Sequence, residues 1–344
     1  MKKTFVFSLL VTLTLAATLD RAEAKEENKA SSNGKLKVFI LAGQSNMQGF
    51  GFISEGKDGD LDYAAKNDFK YLKDASGKWI ERKDVFYYHK SNKGVKACTL
   101  SVDNVKKIYR RHPSIGPELT FGHVLGRHFE DEVLLIKCAW GGQPLAATFR
   151  PPSSGPMADG SSPEHMGVKY KAVLSETKDV LANLKKYFPA IKSKAYEIAG
   201  FFWHQGWNDG CNKDFTKEYE TNMVNFVKDM RKDLKVPNLP FIIATSGMGG
   251  KGGNVATAQL KAAKKLDNCY AVDTIRFRGN RVGRQISHWF NCANSYAKIG
   301  HFSAHAMIAA VAGKKPSAEI AGHVDPDSPN PANKKMKKKN TVIP

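Results

Sequence analysis

Apolar residues along this chain fall into two kinds of stretch. Short unbroken runs at 38–42 (VFILA), 133–136 (VLLI), 197–203 (EIAGFFW), 241–245 (FIIAT) and 270–273 (YAVD) are bounded by glycine, proline or polar residues. Runs of that length read as strands buried on both faces. Between them, at 117–129, 168–187, 215–234, 254–265 and 294–312, apolar positions recur at helical spacing. In 215–234, for example, Met223, Phe226, Val227 and Met230 share one face. Alternation of strand and helix predicts α/β architecture, one mainly parallel five-stranded sheet with helices on both faces. In such sheets a functional site lies at the carboxyl ends of the strands.

The turns at those ends carry the chemistry. The first run stops at Gly43-Gln44-Ser45-Asn46-Met47, a sharp turn that exposes a serine, so Ser45 is a candidate nucleophile. A serine hydroxyl needs a base to take its proton and donors to hold the oxyanion that forms. The second run leads into Ala139-Trp140-Gly141-Gly142-Gln143, where glycines let backbone N–H groups approach a ligand. The third ends in His204-Gln205-Gly206-Trp207-Asn208-Asp209-Gly210. An oxyanion hole could then be built from the N–H groups of Ser45 and Gly142 with the side-chain amide of Asn208 or Gln205.

The segment 50–112 shows no helical period and reads as an insertion of loops, with a hairpin at 79–88, that shapes a substrate cleft. Residues 1–24, with Lys2 and Lys3, an apolar run and Ala22-Glu23-Ala24, read as a signal peptide, so the mature chain is expected to begin at Lys25 and be exported, periplasmic or extracellular. A polar linker, 25–34, precedes a domain at 35–313, and 314–344, with Lys334, Lys335, Lys337, Lys338 and Lys339, reads as a disordered basic tail. No stretch after the signal is suited to stable membrane insertion.

With 42% hydrophobic residues the 344-residue chain has an ordinary globular composition. The net charge of +20 would attract polyanions, which for an exported protein means anionic polysaccharides or envelope surfaces. No aromatic-and-basic interleaving marks a nucleic-acid groove. Cys98, Cys138, Cys211, Cys269 and Cys292 leave room for one disulfide or two, and no spacing suits zinc.

The order Ser45, Gly142, Asn208 and a late histidine at successive turns resembles the SGNH (GDSL-like) hydrolase superfamily. FILAGQSNMQG, IKCAWGG and FFWHQGWND further resemble the sialate O-acetylesterase domain shared with carbohydrate esterase family 6, over about 38–312. The resemblance implies a three-layer αβα sandwich with a flavodoxin-like sheet, no metal or cofactor, and O-acetylated sugars as substrates. SHWFNCANSYAKIG resembles the segment carrying the family's base and places that role on His288, with His301 and His305 as competitors. An aspartate is expected three residues before the base, but Gln285 stands there. Asp209 or Asp273 could orient the imidazole instead, or a neutral acceptor could; Asp209 could also be structural, holding its turn by hydrogen bonds to backbone N–H groups. Trp140, Trp207 and His204 flank the site and read either as a substrate lining or as packing. The resulting expectation is an exported serine esterase that deacetylates carbohydrates through an acetyl-serine intermediate. A general short-chain esterase and a non-catalytic carbohydrate-binding protein are the alternatives.

Overall fold

The computed structural model describes residue 30, residues 32–157 and residues 163–322. The expected signal peptide, most of the linker and the lysine cluster of the tail lie outside the described residues. The strands are β1 (Lys35–Gly43), β2 (Gly51–Phe52), β3 (Arg82–Ser91), β4 (Gly94–Leu100), β5 (Lys107–Tyr109), β6 (His112–Ile115), β7 (Val133–Ala139), β8 (Ala195–His204), β9 (Phe241–Ala244) and β10 (Cys269–Val272). Helices longer than one turn are α1 (Leu61–Asn67), α2 (Glu118–His128), α3 (Val168–Ala182), α4 (Lys213–Asp233), α5 (Ala256–Lys264) and α6 (Ala293–Val311).

The main sheet runs β10-β9-β8-β1-β7-β3-β4, parallel except for the β3–β4 pair. The five strands expected from the sequence are present and lie in flavodoxin-like order, with β1 at the centre. Successive residues of β1 feed opposite cores. Phe39 and Leu41 join the core that takes in α2 and α6, whereas Val38, Ile40 and Ala42 join the one under α3, α4 and α5. That two-sided burial is why the strand reads as an unbroken apolar run, and it makes the fold a three-layer αβα sandwich.

The insertion departs from expectation. Rather than loops, it holds α1, capped by Asp60 accepting from Tyr63 N–H at 2.8 Å, and it extends the sheet by two strands. The hairpin is β3–β4, closed at Ser91 and Gly94, so 79–88 covers only part of its first strand. Val85 and Tyr87 point into one core and Phe86 and Tyr88 into the other. With both faces apolar, β3 shows no alternation by which to recognise it. A small antiparallel sheet, β2-β6-β5, completes the insertion.

The ends of the domain are also more ordered than expected. Ser32 Oγ donates to Asp131 at 2.5 Å, and Gly34 N–H donates to the same carboxylate at 2.9 Å, so the last linker residues are fastened to the domain. Beyond α6, a single turn at Ala318–Ala321 covers β10: Ala321 O accepts from Asp273 N–H at 2.8 Å, and Arg276 donates to the carbonyls of Glu319 and Ile320. All five cysteines are free thiols, so neither of the disulfides for which the sequence leaves room is formed. No helix among the described residues is long and apolar enough to cross a membrane.

Candidate active site

The parallel register brings three strand ends level. Gly43 of β1 lies opposite Ala139 of β7 on one side and His204 of β8 on the other. The backbones are so close that a Cβ on Gly43 would stand 2.1 Å from the His204 carbonyl oxygen, so only glycine fits. Ser45 opens a single helical turn, Ser45–Gln48, immediately beyond. Trp140 N–H donates to Gly43 O at 3.2 Å, which holds the Gly141–Gly142 turn beside it. Gly142 sits at φ +72°, and a Cβ there would meet nothing within 4 Å, so this backbone faces open space.

The two amides flanking Ser45 fasten it to its neighbours. Gln44 Oε1 accepts from Gly206 N–H at 3.1 Å and Asn208 N–H at 3.3 Å, while Gln44 Nε2 donates to Asn208 Oδ1 at 2.9 Å. With Asn208 Oδ1 engaged in this way, its Nδ2 is left as the free donor of that amide. On the other side, Asn46 Nδ2 donates to Ser287 O at 2.9 Å, and Asn46 Oδ1 accepts from Tyr296 OH at 2.7 Å. Ser287 precedes His288, so one turn carries the serine and pins the histidine loop.

His288 reaches the site through strained backbone. Trp289, Phe290 and Asn291 have φ of 52°, 52° and 58°, a left-handed run of non-glycine residues. It is held by Asn291 Nδ2 donating to Phe50 O at 3.0 Å and by Phe290 N–H donating to Gln285 O at 2.8 Å. The imidazole is half-buried and stacks on Phe50 with centroids 4.0 Å apart and planes 5° from parallel. Its Nδ1 lies 3.0 Å from Gln285 Oε1. Burial, and then the charges of Lys107 and Arg110, push its pKa down to about 4, so the ring is neutral near pH 7. The Ser45 hydroxyl receives Gln44 Nε2 at 3.5 Å and does not hydrogen-bond to His288.

Asp209 is not brought to His288. It is fully buried, and its carboxylate accepts from Leu145 N–H at 2.9 Å, Ala146 N–H at 2.9 Å and Gln205 Nε2 at 2.5 Å. Burial nevertheless raises its pKa to about 6, against those three hydrogen bonds. Asp273 accepts from Ile275 N–H at 3.1 Å, and its side chain also does not bond His288. Gln205 is spent inside the same network: its amide also donates to Gln143 O at 3.1 Å and its carbonyl accepts from Tyr219 OH at 2.8 Å. The Asp209–Gln205 pair thus clips the Gly142 loop to the Asn208 loop.

His204 is fully buried with Nδ1 at 3.2 Å from Ala244 O, so it lines no surface. His301 is buried with Nδ1 3.1 Å from Tyr71 OH, its ring 4.6 Å from that of His305, within an aromatic cluster that also includes Phe69. Trp140 and Trp207 are half-buried at the site's edge. Gln44 and Asn46 had no role in the sequence reading, although they flank Ser45 in the motif that was singled out. Phe50, Lys107, Tyr109 and Arg110 of the insertion were missed because only tertiary structure sets them beside His288.

A family model described as carbohydrate esterase, sialic acid-specific acetylesterase, matches residues 35–309. A probable carbohydrate esterase of Arabidopsis thaliana is 24% identical over 249 residues, 69% of this chain and 78% of that protein. Among solved structures, a protein from Arabidopsis thaliana aligns with a TM-score of 0.47 and 20% identity, covering 70% of this chain and 86% of that one. A carbohydrate acetylesterase from Xanthomonas citri aligns with a TM-score of 0.46 and 14% identity, over 78% of this chain and 56% of that one.

Proposed function

The chain belongs to the carbohydrate esterase family of sialic acid-specific acetylesterases, and on that premise we propose that Ser45 is the nucleophile and His288 its base in removing acetyl groups from sugar hydroxyls. The observation that carries this reading is the pair of amides around Ser45. Gln44 binds the serine turn to Asn208 and Asn46 binds it to the histidine loop, so the Asn208 loop and the His288 loop are both fastened to the turn that carries Ser45.

His288 Nε2 takes the Ser45 proton as Oγ attacks the acetyl carbonyl, and the resulting oxyanion is met by Gly142 N–H, Ser45 N–H and Asn208 Nδ2. His288 then gives the proton to the departing sugar oxygen, leaving acetyl-Ser45. Water, deprotonated by the same imidazole, releases acetate. The imidazole must move to reach Oγ, and catalytic hydrogen bonds often tighten only when substrate is bound. Gln285 is the orienting group: its carbonyl accepts the Nδ1 proton and leaves Nε2 as the acceptor. Asp209 is a positioning residue that holds the two oxyanion loops together.

The substrate is an O-acetylated carbohydrate, and Lys107 and Arg110 beside His288, with the overall charge of +20, favour an anionic one. Trp140 and Trp207 would offer ring faces to the sugar. Residues 1–24 act as an export signal, and the catalytic domain runs from about residue 35 to 313, with 314–322 packed against it. The neutral Gln285 favours one other reading, a carbohydrate-binding protein that has lost turnover. Acetate release from a panel of O-acetylated glycans by wild type and by Ser45→Ala separates the two. Release by wild type alone supports the esterase assignment, and equal release by both proteins rejects Ser45.

A further inference from the structure

Phe50 is clamped between two cationic or potentially cationic groups. Lys107 Nζ stands 3.4 Å from its ring centroid, and the His288 ring stacks in parallel at 4.0 Å. A stacked ring at that distance fills one face, so the ammonium occupies the other. Tyr109 closes the edge, perpendicular to Phe50 at 4.6 Å and to His288 at 6.4 Å. Phe50 itself is 7% exposed, so water has little access between lysine and histidine.

We propose that Lys107 is a positioning residue that acts on His288 through the Phe50 ring, and that loss of its proton is what switches the enzyme to its faster state. The inference rests on the assignment of His288 as base. Acyl transfer requires the imidazole to become imidazolium in the transition state. An ammonium across one dry aromatic ring opposes that second positive charge, because a poorly screened slab transmits the repulsion. When the lysine is neutral, the ring's π-electrons no longer face an ammonium from the far side, and the face under His288 favours the imidazolium.

Other charges act on both groups. Around Lys107, burial is the largest influence; the buried Lys137 of β7 lowers its pKa and Glu118 of α2 raises it, leaving it at about 7. Lys137 and Glu118 pair with each other at 2.8 Å, so each offsets the other's field. His89 on β3 also feels Lys107, and burial already holds it neutral with a pKa of about 3. At His288 the remaining cation is Arg110, and Gln285 is neutral. On the neighbouring strand β6, His112 pairs with Glu55 at 2.7 Å. Lys107 is therefore the group whose charge changes near neutrality, while the pKa of His288 itself, about 4, lies well below that range.

The test is the pH profile of kcat/KM for an aryl acetate between pH 6 and 8.5, in wild type, Lys107→Met and Lys107→Arg. A lysine of pKa about 7 is ~90% charged at pH 6, so wild type should be up to about tenfold slower at pH 6 than at pH 8.5. Lys107→Met keeps an apolar stem on the ring and should be flat at the faster rate. Lys107→Arg keeps the cation and should be flat at the slower one. A wild-type rise retained in either variant overturns the proposal. His288→Ala distinguishes the premise: if that variant keeps its activity, the base assignment fails and the Lys107 proposal falls with it. An inactive His288→Ala together with an unchanged Lys107→Met profile overturns the Lys107 proposal alone.

Discussion

Gln285 Oε1 lies 3.0 Å from Nδ1 of His288, so the side chain that orients the imidazole is a neutral amide. A carbonyl acceptor fixes the same tautomer as a carboxylate would. It gives no charge to stabilise the imidazolium that forms as the serine proton is taken.

Restoring the charge should therefore speed the reaction. Gln285→Asp, placed three residues before His288, is expected to raise kcat/KM for an aryl acetate by about tenfold or more at pH 8. It should also raise the imidazole pKa from its present value of about 4. Gln285→Ala should lower the rate. Equal rates in all three proteins would show that Gln285 does not orient the base.

Asp209 gives the opposite kind of prediction. Both of its oxygens accept from Leu145 and Ala146 N–H groups and from Gln205. In Asp209→Asn one of these donors would meet an NH2 group, a loss of about 1–3 kcal/mol of stability. The expected result is a lower melting temperature and a lower kcat, as Gly142 and Asn208 lose their common anchor, with the shape of the pH profile unchanged. A changed acid limb at normal stability would instead mark Asp209 as the orienting acid.

Buried histidines make the fold sensitive to acid. Burial lowers the pKa of His123 and His89 to about 3 and of His204 to about 4, from an ordinary value of 6.5. Each is neutral in the fold and takes a proton more readily when unfolded, so the stability each contributes is present above pH 6.5 and is lost as pH falls towards 3–4. Asp209 works in the other direction, because its pKa is raised from 3.8 to about 6. His288 and His301 are lowered by burial as well and Glu176 is raised by it, so the lowered histidines outnumber the raised carboxylates and the melting temperature should fall steadily between pH 6.5 and 4. A constant melting temperature over that range would contradict these burial effects.

Much of this arrangement was legible in the sequence because it is short-range. The both-face burial of β1 writes itself as VFILA, and Ser45, Gly142 and Asn208 each follow a strand within a few residues. Gln285 and His288 are likewise three residues apart. What stayed open or was misread depends on distant partners. Asp209 stands next to Asn208 in the chain, yet its partners at Leu145 and Ala146 lie more than 60 residues earlier. Strand β3 pairs with β7 through Val85 and Val133, and the aromatic residues of that strand feed both cores, so no periodicity marks it as a strand. The Lys107–Phe50–His288 stack joins three segments whose proximity only the folded chain creates.

The most direct test of the central claim is to titrate the protein with a serine-directed phosphonate and follow acetate release and peptide mass together. One adduct on the peptide containing Ser45, with activity falling in proportion to labelling, is the predicted result. Full turnover with Ser45 completely labelled, or an active protein in which Ser45 is never labelled, would contradict it.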